Sequence, residues 1–140
     1  MASQPIVLSP ATPSALLSYI ISYHRYPTTL IVGSTRAEFH ASLLGDVAQH
    51  LALYDEREDE RPADTDATSP PHPLLKAPLY QIAISRHIRL LFAPTVTHLR
   101  AYLSVFTPKD SPVSPPPNHT PSSRAPLLLI YGLLALHRDA

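Results

Sequence analysis

Three five-residue runs of apolar and β-branched residues recur along the chain, at Thr28–Val32, Ile88–Phe92 and Leu127–Tyr131. Glycine directly follows the first and third runs, and a proline stands within two residues of the end of the second. The runs are nearly continuous in apolar character, apart from Arg89, and do not alternate with polar residues. Such runs are typical of strands buried on both faces of a parallel sheet that helices cover. The pattern therefore predicts three buried strands.

Segments with apolar residues at helical spacing separate these runs. One helix is predicted to begin behind Thr12-Pro13, where threonine is the N-cap and proline the first helical residue, and to end near His24. Further helices are predicted after Pro78 and Thr95, and another after Gly132. Because strands and helices alternate, the layout predicts a three-layer α/β sandwich with a small, mostly parallel sheet of about three strands and an open edge.

The longest helical pattern begins with Thr35-Arg36-Ala37-Glu38. This is a capping box, in which the threonine hydroxyl accepts a hydrogen bond from the amide three residues on and the glutamate reaches back to the threonine amide. Gly45 lies inside the same helix at a cost of about 1 kcal/mol relative to alanine. We hypothesise that it allows this helix to pack closely on the sheet.

Two polar segments interrupt what is otherwise a single domain over residues 1–140. Residues 55–73 are acidic and then rich in proline, threonine and serine, and residues 107–126 contain seven prolines. Segments of this composition bury too little apolar surface to offset the entropy lost on ordering. Both are predicted to be disordered insertions.

The composition excludes several classes of site. The chain has no cysteine, so disulfide scaffolds, thiolate zinc sites and cysteine nucleophiles are excluded. Its eight histidines are scattered, with no pair at the i, i+4 spacing of a helical zinc motif, and no metal site is expected. The apolar runs are shorter than the ~20 residues that span a bilayer, and the start of the chain lacks the basic region of a secretory signal. These features predict an intracellular protein without membrane contact.

Acidic and basic residues number 11 each, so the formal net charge is zero. Bases nevertheless concentrate around the second predicted strand and the helix after it. If they converge, they form a modest positive surface for a protein partner or for nucleic-acid phosphates. An ordinary solvated surface, or one covered by the acidic segment, is the alternative. The residues of this candidate contact surface are Arg86, His87, Arg89, His98 and Arg100.

The junction Gly33-Ser34-Thr35-Arg36 is the candidate anion or nucleotide site, because free amides and the helix dipole face outward where a strand turns into a helix. A working phosphate loop needs G-x-x-x-x-G-K-[ST], and this junction has one glycine and no lysine. Tyr131 and Gly132 stand where nucleotide-hydrolysing folds place a magnesium-binding acid. No catalytic residue and no cofactor are therefore expected, and a capped helix without a ligand is the alternative interpretation.

This layout resembles the core of RecA-like ATPases with a degenerate phosphate loop, which implies a RecA/Rossmann-like fold. The resemblance rests on a strand ending in Val32-Gly33-Ser34-Thr35, on the strand Ile88–Phe92, on the helix Leu99-Arg100-Ala101-Tyr102-Leu103 and on Leu127–Tyr131 in the place of the Walker B strand. It is closer to divergent relatives that have lost ATPase activity, namely fungal recombinase paralogues of the Shu-complex kind and the accessory RecA-like subunits of Elongator. The resemblance implies a scaffold that pairs with similar domains and contacts DNA or RNA. It carries no catalytic residue over to this chain.

Three functional hypotheses follow. The favoured one is a non-catalytic interaction module, an accessory subunit in DNA recombination or repair that forms a hetero-oligomer with similar domains and resides in the nucleus rather than the cytoplasm. The second is a small nucleotide- or phosphate-binding protein that uses the Gly33–Arg36 turn, or an Elongator-like accessory subunit in tRNA modification. The third is a chain without an independent function.

Overall fold

A computed structural model describes residues 4–23, 25–59, 71–76, 78–109, 111–120 and 125–138. It confirms the α/β class and the three predicted strands, with the predicted bounds. Residue 24, near which the first helix was predicted to end, lies outside the described residues. The elements are α1 (Pro13–Ser22), β1 (Thr28–Val32), α2 (Arg36–Asp59), a 3₁₀ turn (Pro73–Leu75), α3 (Leu79–Ser85), β2 (Ile88–Phe92), α4 (Val96–Ser104), β3 (Leu127–Tyr131) and α5 (Leu133–Arg138).

The three strands form an open parallel sheet in the order β2-β1-β3. Thr28 at the start of β1 lies opposite both Ile88 and Leu127, and the pairing continues over all five residues of each strand. Every residue of β1 is buried because a strand flanks it on each side. Within the described part of the chain, the outer edges of β2 and β3 have no neighbouring strand, and β3 is only partly buried throughout.

The core divides between the two faces of the sheet. On one face Leu30 and Val32 pack with residues of α1 and with Phe39 of α2. On the other face Ile31 packs with residues of α4 and α5. Successive strand residues point to opposite faces, so a continuous apolar run supplies both layers. Full burial of each large apolar side chain stabilises the fold by roughly 1.5–3 kcal/mol.

Helix α1 is fixed to the rest of the domain by polar contacts at its amino end. The backbone amide of Ser14 donates to Asp46 Oδ2 on α2 at 2.8 Å. The Tyr131 hydroxyl donates to the carbonyl of Ala11 at 3.0 Å. The Asp46 side chain is only 8% exposed, and its carboxylate lies 3.3 Å from His50 Nε2. Hydrogen bonds from the Ser14 hydroxyl and amide hold the pKa of Asp46 below its ordinary value.

Two expectations about α2 are wrong. The helix continues to Asp59, so residues 55–59 are helical although the segment 55–73 was predicted to be disordered. Glutamate and arginine have high helix propensity, so the helix continues in solvent beyond the last residue of its apolar stripe. Gly45 is exposed, with no atom within 4 Å of a Cβ built on it, so it does not pack on the sheet. Residues 60–70 of the predicted insertion lie outside the described residues, and residues 73–75 form the 3₁₀ turn.

The proline-rich segment 107–126 has neither helix nor strand in its described residues, 107–109, 111–120 and 125–126. It nevertheless contacts the residues that precede two strands. The Tyr26 hydroxyl donates to the Val113 carbonyl at 2.6 Å, and His87 Nδ1 lies 2.7 Å from the Ser114 carbonyl oxygen. The segment therefore passes the amino ends of β1 and β2, a placement that its composition does not indicate.

Candidate functional site

The carboxyl ends of the three strands meet at one edge of the domain. The amide of Gly33 donates to the Tyr131 carbonyl at 2.7 Å, and the amide of Ala93 donates to the Val32 carbonyl at 2.8 Å. The helices that follow the adjacent strands β1 and β3 leave toward opposite faces, since Phe39 of α2 belongs to one core cluster and Leu136 of α5 to the other. In open parallel sheets, ligands bind in the crevice that such a divergence creates.

A crevice of about 430 Å³ lies at this divergence. Its volume falls at the lower end of the range typical of small-molecule sites. The polar groups in its wall are hydroxyls and one carboxylate, and no lysine or arginine is part of the wall. The lining residues are Gly33, Ser34, Glu38, Pro94, Thr95, Val96, Thr97, Ala135 and Leu136.

Two glycines bring the ends of β1 and β3 close together. A Cβ on Gly33 would lie 2.9 Å from Leu136 Cδ1 and 3.0 Å from the Gly132 carbonyl oxygen, closer than ordinary contacts. Gly132 has a φ of +79°, in the left-handed region that favours glycine. Both positions favour glycine, one because of space and the other because of backbone conformation.

The predicted capping box is present at the amino end of α2. Glu38 Oε2 accepts from the Thr35 amide at 2.8 Å and from the Thr35 hydroxyl at 2.7 Å, and the Glu38 amide donates to Thr35 Oγ1 at 3.2 Å. The bonds from the Thr35 backbone and side chain hold the pKa of Glu38 below its ordinary value, so this carboxylate is ionised at neutral pH.

This capping box bears directly on the candidate anion site. Gly33 and Ser34 line the crevice, but the Thr35 amide already donates to a carboxylate, and Arg36 is not part of the lining. A bound phosphate would compete with the Glu38 carboxylate for that amide and would meet its negative charge. The crevice thus favours neutral or cationic polar groups over anions.

A second capped helix begins at the same crevice. Thr95 Oγ1 accepts from the His98 amide at 3.3 Å and lies 2.7 Å from His98 Nδ1. The threonine thereby caps α4 and fixes the orientation of the imidazole. Neither Glu38 nor Thr95 was singled out as a site residue from the sequence, although the capping-box spacing identified the contact of Glu38 with Thr35.

The five residues of the candidate contact surface do not come together at one place. Arg86 and His87 lie before β2, at the amino end of the sheet, whereas His98 and Arg100 lie on α4 beyond its carboxyl end. A five-residue strand separates the two ends by roughly 17 Å. Arg89 lies between them on β2, opposite Thr29. These basic side chains are therefore separated from one another and do not form one positive patch.

The outer edge of β3 is apolar along its whole length and only partly buried. Its five residues are all apolar or aromatic, and Leu134 of the following helix is 86% exposed. The layout predicted an open edge from the sequence, but the positions of β2 and β3 on either side of β1 became clear only in the structure. The outward-facing edge of β3 therefore joins the crevice as a candidate functional feature.

Among the described residues, none of the helices combines the length and apolar character needed to span a bilayer. No group of three or more histidine, aspartate or glutamate side chains in the same part of the chain is placed to hold a metal ion.

Comparisons with protein-family models, with curated proteins and with solved structures find no match to this chain. The resemblance to RecA-like proteins therefore rests on the order and sequence of the elements alone.

Proposed function

We propose that the protein is a non-catalytic α/β interaction module that binds another protein through the open edge of β3. The observation that carries the proposal is the contrast between two strands of similar apolar character. All of β1 is buried, whereas all of β3 is only partly buried at the outside of the sheet. A strand that is apolar on both faces has the composition of one with neighbours on either side.

The backbone of β3 is suited to pairing with a further strand. The Leu127 amide donates to the Pro27 carbonyl and the Tyr131 carbonyl accepts from Gly33, so the backbone groups of Leu127 and Tyr131 face β1. Successive residues of a strand present these groups to opposite sides, so those of Leu128 and Ile130 face outward. Natural edge strands are usually protected by charges, prolines or bulges, and β3 contains no charge and no proline.

The resemblance to RecA-like accessory subunits gives the proposal its specific form. The partner is another RecA-like domain, and the assembly acts in DNA recombination or repair in the nucleus. The features that support this form are the parallel sheet, the capped Gly33–Arg36 junction without a phosphate-loop lysine, and Tyr131-Gly132 where an ATPase has an acid.

Proline substitutions on the two outer strands test the proposal. Leu128→Pro removes an outward amide of β3 and keeps the bonds to β1, since proline is tolerated where an edge amide faces solvent. Leu90→Pro is the matched control on β2, because the Ala93 bond to Val32 implies that the Leu90 amide also faces outward. Circular dichroism melting establishes that both variants fold.

Capture of partners from the native cell by tagged protein, followed by mass spectrometry, is then compared. We expect wild type and Leu90→Pro to retain the same partner and Leu128→Pro to lose it. Equal capture by all three would overturn the role of β3, and a partner unrelated to RecA-like proteins would remove the recombination and repair assignment.

The crevice at the carboxyl ends favours a second candidate, a small-ligand-binding protein. Its volume and its position where α2 and α5 diverge support ligand binding, while the Glu38 carboxylate opposes a phosphate. Calorimetry with ATP, GTP and dinucleotides tests this candidate. An absence of heat at millimolar concentrations would remove the nucleotide form of it.

A further inference from the structure

Residues 6–8 form an exposed apolar run at the beginning of the described chain. Ile6, Val7 and Leu8 are 80%, 97% and 52% exposed, and residues 4–10 have no regular secondary structure. The run contains two β-branched residues and is bounded by Pro5 and by Ser9-Pro10. A short apolar run bounded in this way is typical of a strand.

The structure places Ala11, three residues after this run, against the side chain of the last residue of β3. The Tyr131 hydroxyl donates to the Ala11 carbonyl at 3.0 Å, and Tyr131 is the last residue of β3. From there α1 leads back to Thr28, the start of β1. The run, α1 and β1 therefore have the order of a β-α-β unit, and the first strand of such a unit runs parallel to the second and ends at the carboxyl edge of the sheet.

The rule of right-handed connections decides which edge this strand fits. Helices α1 and α2 cover the same face of the sheet, since both contribute to the core cluster around Leu30. Right-handed crossovers on one face step in the same direction across a sheet. The crossover through α2 steps from β1 to β2, so the crossover through α1 must reach β1 from the side of β3. The preceding strand belongs at the outer edge of β3.

The local geometry suits this placement. Three residues, Ser9, Pro10 and Ala11, separate the run from the N-cap Thr12, which is within the two to six residues typical of strand-to-helix loops. The three residues of the run span about 10 Å. This length matches the stretch of β3 that contains the outward backbone groups of Leu128 and Ile130.

We propose that residues 6–8 pair in parallel with the outer edge of β3 as a fourth strand. The structure shows the open state of the domain, and pairing produces a closed state with the order β2-β1-β3 followed by the N-terminal strand. The regulatory part of this inference rests on the proposed function, because the edge that the strand covers is the one assigned to the partner. The N-terminal strand is thus autoinhibitory and must leave before a partner's strand can pair.

Paramagnetic relaxation in the full chain tests the pairing. Because the chain has no cysteine, Val7→Cys accepts a single nitroxide. We expect the strongest signal loss at the amides of β3, with less at β1 and least at β2, and recovery of all signals after reduction of the nitroxide. Leu128→Pro in the labelled chain is expected to remove the loss at β3. Equal losses at β2 and β3, or none at either, would overturn the proposal.

Two further measurements separate the alternatives. Nitroxide-labelled ¹⁴N chain is mixed with unlabelled ¹⁵N chain. Signal loss at β3 in that mixture would overturn pairing within one chain by placing the strand on a second copy.

Val7→Lys is expected to disfavour the closed state and so to strengthen partner capture, by about tenfold if nine-tenths of the molecules are closed. Unchanged capture by Val7→Lys would overturn autoinhibition.

The same data distinguish the two proposals. Suppose that Leu128→Pro leaves partner capture intact, while the nitroxide at position 7 broadens the β3 signals in the chain that retains Leu128. The fourth strand then stands and the partner-binding role of β3 fails. If Leu128→Pro abolishes partner capture and the nitroxide at position 7 does not broaden the β3 signals, the interaction module stands and the fourth strand fails.

Discussion

The central strand β1 and the edge strand β3 are alike in sequence and unlike in environment. Ile31 and Ile130 lie directly opposite each other, and Ile130 packs against the core cluster on the α4 face to which Ile31 belongs. Ile31 is 0% exposed, whereas Ile130 is only partly buried. The difference arises because β1 has a strand on each side and β3 has one. An apolar run therefore shows that a strand is suited to burial, while its position in the sheet decides how much burial it attains.

The largest expected effect is a direct test of this comparison. Ile31→Ala should reduce the free energy of unfolding by about 2–5 kcal/mol, because neighbouring strands prevent the cavity from collapsing. Ile130→Ala should cost less than half as much while the edge of β3 is open, since its side chain is then partly in contact with water. Urea unfolding followed by circular dichroism measures both. Equal losses would indicate that the outer edge of β3 is covered in solution, as the closed state requires.

The glycines that end these two strands sharpen the comparison. Gly33→Ala after β1 is expected to cost about 1–3 kcal/mol, because its Cβ would overlap the Gly132 carbonyl oxygen. Gly132→Ala after β3 is expected to cost about 1–2 kcal/mol, because alanine is strained in the left-handed region. Gly132→Asn is the control, since asparagine tolerates that conformation better. If asparagine costs as much as alanine in thermal melts, backbone strain is not the cause.

A smaller loss is expected from the contact that holds α1 over the central strand. Asp46→Asn removes the carboxylate that accepts from the Ser14 amide, and should lower the melting temperature at neutral pH. Because the pKa of Asp46 is lowered in the folded state, its contribution is present above the ordinary aspartate pKa. The contribution is lost as pH falls through the lowered value.

The difference between wild type and Asp46→Asn should therefore shrink on acidification. Glu56→Gln, on the exposed side of the same helix, is the control and should show no such pH-dependent difference. A gap between wild type and Asp46→Asn that persists at acidic pH would contradict the assigned role of the carboxylate.

The smallest expected effect is a gain in stability, at a position that packs against neither β1 nor β3. Gly45→Ala on α2 should raise the free energy of unfolding by about 0.5–1 kcal/mol, because alanine fits a helix better and a Cβ there meets open space. Denaturant unfolding measures the gain. A loss of stability would show that α2 packs more closely at Gly45 than the structure indicates.

Local features of the fold were predictable from the sequence. The bounds of all three strands and the reciprocal contacts of Thr35 and Glu38 follow from patterns within a few residues. The sequence pattern indicated too early an end for α2 and a position of Gly45 against the sheet, and neither is observed. Both errors concern the solvated part of α2, beyond or beside its apolar stripe, where no apolar residue indicates how far the helix extends or how closely it packs.

The candidate site was predictable only in part. Gly33 and Ser34 were identified and do line the crevice, because a strand–glycine–helix junction is visible in the sequence. Thr97 and Leu136 were not, since they come from segments that meet only in the folded chain. The distance between His87 and His98 was likewise not predicted. They are close in sequence, but β2 lies between them, so they are at opposite ends of that strand.

The sequence by itself determined the α/β class, the strands, the helix caps and the absence of thiol chemistry, because each depends on local backbone preference or on composition. Only the tertiary structure decided that β1 is central and β3 is at the edge, and that Asp46 meets Ser14 thirty-two residues away. These outcomes depend on how distant segments pair in space. The free energy that stabilises these arrangements comes from surfaces and hydrogen bonds between segments. The sequence of one segment alone therefore does not determine them.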